Sequence, residues 1–120
     1  MSDYQMGAVE RRFARIIWER EPVSSAQLAQ VALQELGWKK STTYTVLKRL
    51  CEKGIFRNVK GCVTSLLTQQ EFDALRSERF VEETFEGSLP AFLAAFTSRK
   101  PLSDREVALL RQMIERHEEG

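Results

Sequence analysis

The sequence predicts a mainly α-helical fold with one small β-hairpin. Two observations favour this fold class. Apolar residues recur at helical spacing in six segments, which are separated by glycines, prolines and capping residues. Between the third and fourth segments, two short β-prone runs flank Lys60-Gly61, as in a tight hairpin. The 120 residues suit one domain or two very small ones.

The first predicted helix covers residues 7–20 and ends before Pro22, whose ring fixes φ and removes a backbone donor. Its apolar face is formed by Val9, Phe13, Ile16 and Ile17. Pro22 and the two residues after it predict a short β segment or a turn. The second helix covers roughly 25–36, begins at a serine cap and ends at Gly37.

The third predicted helix, from Ser41 to Gly54, is the most informative segment of the chain. Its apolar residues share one side of a 3.6-residue helix. Gly54 follows the last turn, where a left-handed cap favours glycine. Hydroxyls and cations on the other face suit a helix that lies in a DNA major groove. That face carries Thr42, Tyr44, Thr45, Lys48 and Arg49.

The predicted order of elements is helix, short strand, helix, helix and hairpin. This is the winged helix-turn-helix arrangement, in which the hairpin around Lys60-Gly61 is the wing. The connection at residues 37–40 is compatible with the short turn of the motif. We therefore expect residues 1–68 to form a winged helix-turn-helix DNA-binding domain.

Residues 69–120 predict three further helices that form a dimerisation region. Two of them begin at capping-box patterns, Thr68 to Glu71 and Ser103 to Glu106. About fifty residues cannot easily bury large apolar side chains on several faces, and a two-fold partner would cover them. The alternative is a helical cap packed on its own winged helix. The candidate dimerisation residues are Phe72, Phe80, Phe85, Phe92, Phe96, Leu110, Met113 and Ile114.

The two halves of the chain carry opposite charge. Residues 1–67 have eleven basic and six acidic side chains, whereas residues 68–120 have seven and eleven. Such asymmetry favours a half that binds a polyanion, although the alternative is a scattered solvated surface. The candidate phosphate contacts are Lys39, Lys40, Lys53, Arg57 and Lys60.

Base edges are the expected partners of Thr42, Tyr44, Thr45 and Lys48. Ser41 lies at the start of the helix, where backbone N–H groups favour a phosphate. Arg49 could contact bases or phosphates, or pair with an acid on a neighbouring helix. These residues complete the candidate DNA-binding set.

Other function classes receive little support from the sequence. His117 lies alone in a polar tail without a nucleophile, and there is no glycine-rich phosphate loop, so we expect neither an enzyme nor a cofactor. Cys51 and Cys62 have no metal-ligand spacing, and small packing residues are a simpler interpretation than a redox switch. No apolar run is long enough for a membrane helix, and no secretory signal is seen. A cytoplasmic protein is expected.

The chain resembles the penicillinase repressor family of winged-helix transcriptional regulators. The resemblance is carried by residues 10–18, Pro22-Val23, and 42–54 with the ending Lys-Arg-Leu-x-x-Lys-Gly. It continues through Gly87-Ser-Leu and through Leu102-Ser-x-x-Glu106. It implies a cytoplasmic homodimeric repressor that binds an inverted-repeat operator in double-stranded DNA. A winged-helix module that binds only proteins is the alternative.

Three departures from the family limit what the resemblance implies. The copper-responsive members end in paired cysteines, whereas this chain ends Arg116-His-Glu-Glu-Gly. The β-lactam-responsive members are cut by a sensor protease at an Asn-Phe bond, and the nearest match here is Ala95-Phe96. Those members also carry basic groups at the positions of Ser41 and Tyr44. The operator sequence is therefore not carried over.

Overall fold

A computed structural model of the chain describes residues 4–119. It confirms the predicted class, with six helices and a small antiparallel sheet among those residues. The elements in order are α1 (Ala8–Arg20), β1 (Val23–Ser24), α2 (Ser25–Leu36), α3 (Lys40–Glu52), β2 (Phe56–Val59), β3 (Cys62–Ser65), α4 (Gln69–Phe85), α5 (Leu89–Arg99) and α6 (Asp104–Glu119).

The sheet has three strands in the order β1-β3-β2, so the short segment after Pro22 is a strand. Val23 lies opposite Val63, and Val59 lies opposite Cys62. This register leaves a two-residue turn at Lys60-Gly61, with φ values of 51° and 82°. Positive φ at both residues is the turn geometry that matches strand twist in a tight hairpin. The predicted wing is confirmed.

The chain divides into two compact units. The N-terminal unit comprises the described residues up to Glu78, and the C-terminal unit begins at Arg79. The division falls inside α4, because the first turns of α4 contribute to the N-terminal core. The assignment of functional domains to residues 1–68 and 69–120 stays a prediction.

The N-terminal unit has a closed hydrophobic core between α1, α2, α3 and the sheet. Phe72 of α4 belongs to this core, with no exposed surface and its ring centroid 5.6 Å from that of Trp18. The prediction that Phe72 lies on a dimerisation surface is therefore wrong. Helical periodicity does not show what covers an apolar residue, and the first turn of α4 packs on the winged helix.

The C-terminal unit contains an aromatic cluster without a closed core. Phe80, Phe85 and Phe92 meet edge to face with centroids 5.7–5.9 Å apart, and Phe96 lies 6.1 Å from Phe92. Neither α5 nor α6 has a buried residue. Helix α5 ends at Arg99, because Lys100 precedes Pro101 and a residue before proline is disfavoured in a helix. Within residues 4–119, every helix is too short or too polar to cross a membrane.

Candidate nucleic-acid interface

Helix α3 has the two faces that the sequence predicts. Thr43, Val46, Leu47 and Leu50 are buried, and they pack α3 against α2 and the sheet. The other face is solvent-exposed, so its polar groups are available to a ligand. The exposed residues are Ser41, Thr42, Tyr44, Thr45, Lys48 and Arg49.

The start of α3 carries free backbone donors and two exposed cations. Lys39 is the N-cap residue, and its side chain makes no capping hydrogen bond. The first backbone N–H groups of any helix have no intrahelical acceptor, and the helix dipole favours an anion there. Lys39, Lys40 and Ser41 are exposed at this end. The arrangement suits a phosphate group.

Tyr44 and Thr45 are already engaged within α3. The ammonium of Lys40 lies 5.8 Å from the centroid of the Tyr44 ring, within cation–π range. The Thr45 hydroxyl donates to the carbonyl of Ser41 at 2.9 Å. Its proton is therefore used, and its oxygen can accept a hydrogen bond from a base amino group but has no second proton to donate.

The last turns of α3 are tied to α1 and to the segment before it. Arg49 donates to Glu10 at 3.2 Å, which is the ion-pair option left open for Arg49. The ammonium of Lys53 donates to the carbonyl of Gln5 at 2.7 Å, and the Lys53 side chain is only 16% exposed. The prediction that Lys53 contacts phosphate is therefore wrong, because its ammonium is bound within the protein.

The wing presents Arg57 and Lys60 to solvent. Its turn is held from both sides. The Asn58 side-chain oxygen accepts from the N–H of Gly61 at 3.1 Å. The carbonyl of Gly61 accepts from the N–H of Ser25 at 2.8 Å, which fixes the wing to the start of α2. The wing thus has a defined position in the N-terminal unit.

Glu10 and Ser25 are the residues that sequence reasoning missed at this interface. Glu10 reaches Arg49 across 39 positions of sequence, so no local spacing indicates the pair. The contact of Ser25 with the wing uses a backbone N–H, which any residue other than proline supplies. Both contacts follow only from the tertiary fold.

The two cysteines differ in environment. Cys51 is partly buried, and burial raises the pKa of its thiol, although a hydrogen bond from the Asn58 backbone acts in the opposite direction. A raised pKa keeps the thiol protonated and less reactive. Cys62 is exposed on the wing. Within the described residues, no group of three or more potential metal ligands comes together.

The Ala95-Phe96 bond lies inside α5 rather than in an extended segment. The carbonyl of Ala95 accepts from the Ser98 hydroxyl at 2.6 Å, and the carbonyl of Phe96 accepts from the N–H of Lys100. The Ala95-Phe96 bond therefore does not lie in an extended segment of the kind that a protease binds. Cleavage by a sensor protease at this bond is not supported.

Comparisons with known proteins cover nearly the whole chain. Residues 6–116 match the penicillinase repressor family. The chain is 23% identical over 115 residues to methicillin resistance regulatory protein MecI of Staphylococcus aureus, which covers 92% of this chain and 94% of that protein. It is 24% identical over 117 residues to the penicillinase repressor of Bacillus licheniformis, with 94% and 91% covered. The chain belongs to the penicillinase repressor family, a family of transcriptional repressors.

Proposed function

We propose that this protein is a homodimeric repressor that binds an inverted-repeat operator in double-stranded DNA through α3 and the wing. The observation that carries the proposal is the division of α3 into a buried apolar face and an exposed face of hydroxyls and cations. The names of its relatives, a regulatory protein and a repressor, support it.

Phosphate contacts would come from the two ends of the interface. Lys39 and Lys40 stand at the start of α3, and Arg57 and Lys60 stand on the wing. Ser41 adds a hydroxyl beside the free backbone donors of the helix start. Contacts of this kind fix the register of a protein on the duplex and supply salt-dependent affinity, but they carry no sequence information directly.

Sequence would be read by the middle of the exposed face. Thr42, Tyr44, Thr45 and Lys48 project from the first three turns of α3, where a recognition helix meets base edges. Tyr44 is 36% exposed and offers a ring face to a thymine methyl group. Thr45 can accept from the amino group of adenine or cytosine.

Dimerisation would proceed through the apolar surface of the C-terminal unit. Phe80, Phe96, Met113 and Ile114 are between 43% and 62% exposed in one chain. Exposed large side chains at this density are typical of an interface. Two copies related by a two-fold axis would bind half-sites about 10 base pairs apart, or a multiple of that spacing.

The test begins with selection of duplexes from a random-sequence pool by the full-length protein. Fluorescence anisotropy then compares the selected duplex with its scrambled version. We expect Tyr44→Ala to weaken binding to the selected duplex by about 1–3 kcal/mol and to leave the scrambled duplex unaffected. Equal losses on both duplexes would exclude a base-reading role for Tyr44.

A second variant tests the phosphate contacts. Lys39→Ala should weaken binding to both duplexes equally and lower the salt slope by about 0.9 per protomer. Lys100→Ala is the matched control, because Lys100 is an exposed lysine after α5 in the C-terminal unit. If the selection enriches no sequence and the protein binds no duplex from the pool, a protein-binding module is the better assignment.

A further inference from the structure

The carboxylate of Glu10, on α1, binds the cations near the end of α3. Its Oε1 accepts from the Arg49 guanidinium at 3.2 Å, and its Oε2 lies 3.8 Å from the Lys53 ammonium. Lys53 is additionally held by the carbonyl of Gln5 at 2.7 Å. Within residues 4–119 the acidic partner of Arg49 is Glu10, and the Arg49 side chain is 50% exposed.

Arg49 stands on the side of α3 that faces solvent. It follows Thr45 by four residues, so the two side chains share a face one turn apart. A free guanidinium at this position would extend along the same surface as the base-reading residues. Glu10 holds it back toward α1.

The Glu10 carboxylate is itself held in place. The side chain is 23% exposed, and Oε2 is buried with no hydrogen-bond partner in the described structure. A desolvated carboxylate oxygen is stabilised by nearby positive charge and costs free energy without it. The Glu10 end of the pair is therefore partly desolvated, whereas its Arg49 end is half exposed.

We propose that Glu10 limits the sequence-independent affinity of this protein for DNA, because it withholds Arg49 from the phosphate backbone. The proposal rests on the proposed function. A phosphate contact strengthens binding to every sequence alike, so a freed Arg49 would raise the affinity for non-specific DNA and steepen its salt dependence.

The size of the effect follows from counterion release. Loss of the Glu10 charge frees one guanidinium in each protomer, while Lys53 stays bound to Gln5. Two added phosphate contacts per dimer steepen the salt slope by about 1.8, since each contributes about 0.9. Over a fourfold increase in salt, the affinity gained by the variant then shrinks by about tenfold.

Glu10→Gln is the main variant, since glutamine keeps the shape of the side chain and removes only the charge that holds Arg49. Glu19→Gln is its control, because it removes the same charge from an exposed site near the other end of α1. The probes are the selected duplex and its scrambled version, titrated by anisotropy at about 50–200 mM salt. We expect Glu10→Gln to bind the scrambled duplex about tenfold more tightly at the lowest salt, and Glu19→Gln to behave as wild type.

A double variant assigns the gain to Arg49. Glu10→Gln combined with Arg49→Ala should return non-specific affinity to the wild-type value, because it removes the charge of both partners. Glu10→Asp serves if Glu10→Gln unfolds, because it withdraws the carboxylate from Arg49 by one methylene. It keeps the charge, so it should show a gain of the same sign and of smaller size.

Two results would overturn the proposal: equal behaviour of Glu10→Gln and Glu19→Gln, or a gain in affinity that persists without Arg49. In each of these cases the wild-type protein still binds its selected duplex, so the proposed function stands. Absence of duplex binding by the wild-type protein would instead contradict the proposed function.

Discussion

The two units of this chain close their apolar surfaces to different extents. In the N-terminal unit, the buried hydrophobic residues run from Phe13 to Phe72 and form one core. In the C-terminal unit, α5 and α6 bury no residue, and several large apolar side chains stay exposed. One unit is thus stabilised within a single chain, whereas the other has apolar faces that only a further surface can cover.

The aromatic residues allow the two units to be followed separately. Trp18 and Trp38 both lie in the N-terminal unit, where each packs against a phenylalanine ring at 5.1–5.2 Å between centroids. Tryptophan fluorescence therefore reports the N-terminal unit. Far-UV circular dichroism reports the helices of both units, so the difference between the two signals isolates the C-terminal helices.

The largest expected effect comes from opening the N-terminal core. Phe13→Ala removes a fully buried ring and should lower the free energy of unfolding by about 3–5 kcal/mol. Urea titration followed by tryptophan fluorescence measures it, and the loss should be the same at every protein concentration. Val9→Ala, at a 47% exposed site on the same helix, should cost below about 0.5 kcal/mol. A urea midpoint that depends on protein concentration would show that the N-terminal unit, too, is stabilised by association, and would contradict the contrast between the two units.

The next effect comes from charging the C-terminal apolar face. Ile114→Asp places a carboxylate where a partner's apolar side chains are proposed to pack, and it should weaken dimerisation by about 2–4 kcal/mol. Sedimentation equilibrium measures the change, while the fluorescence midpoint should stay close to that of the wild type. Gln112→Asp, on another side of α6, is the control. An unchanged dimerisation constant would contradict the proposed interface.

A smaller effect distinguishes equivalent caps in the two units. Thr68 caps α4 through a hydrogen bond from the Glu71 N–H at 3.0 Å, and Ser103 caps α6 through one from the Glu106 N–H at 3.1 Å. Each substitution by alanine should cost about 1 kcal/mol. Thr68→Ala should lower the fluorescence midpoint, whereas Ser103→Ala should lower only the dichroism midpoint. Equal fluorescence losses would show that the units unfold together.

The smallest effect is the acid dependence of the N-terminal unit. Arg11 binds Asp73 through two hydrogen bonds of 2.6 and 3.0 Å, which lower the pKa of Asp73 in the folded state. The unfolded pKa is about 3.9, so this contribution is fully present above about pH 5 and is lost as pH falls through the lowered pKa. Its size is below about 1 kcal/mol, since the carboxylate is 47% exposed.

Asp73→Asn tests this acid dependence by fluorescence-monitored urea unfolding at pH 7 and at acidic pH. Other carboxylates titrate in the same range, because hydrogen bonds also lower the pKa of Glu71 and Glu106. The measured quantity is therefore the difference between wild type and variant. The variant should be less stable than wild type at pH 7 and should approach it in acid. A constant difference would exclude the ion pair as its cause.

The local features of the fold could be predicted from the sequence. The spacing of apolar residues predicts the helices. The Lys60-Gly61 pair predicts the tight turn of the wing, and both residues have the positive φ that such a turn requires. The same spacing predicts which side chains of α3 are exposed to solvent, since Tyr44 and Lys48 lie on the face opposite the buried residues.

The distant contacts could not be predicted. Arg49 meets Glu10 across 39 residues and Arg11 meets Asp73 across 62, and nothing in the local sequence indicates either pair. The burial of Phe72 in the N-terminal core could not be predicted either, because periodicity identifies an apolar face of a helix but not the surface that covers it. The fold supplies the partner.

The hydrogen bond from the Ser25 N–H to the carbonyl of Gly61 bears on the entropic cost of the proposed DNA binding. A hairpin whose backbone is ordered before contact would lose little backbone entropy on DNA, so the backbone at Lys60 would not need to be immobilised on binding. Hydrogen exchange at Ser25 should then be slow in the free protein and change little on the duplex. The wing would then bind DNA in the conformation that it already has in the protein alone.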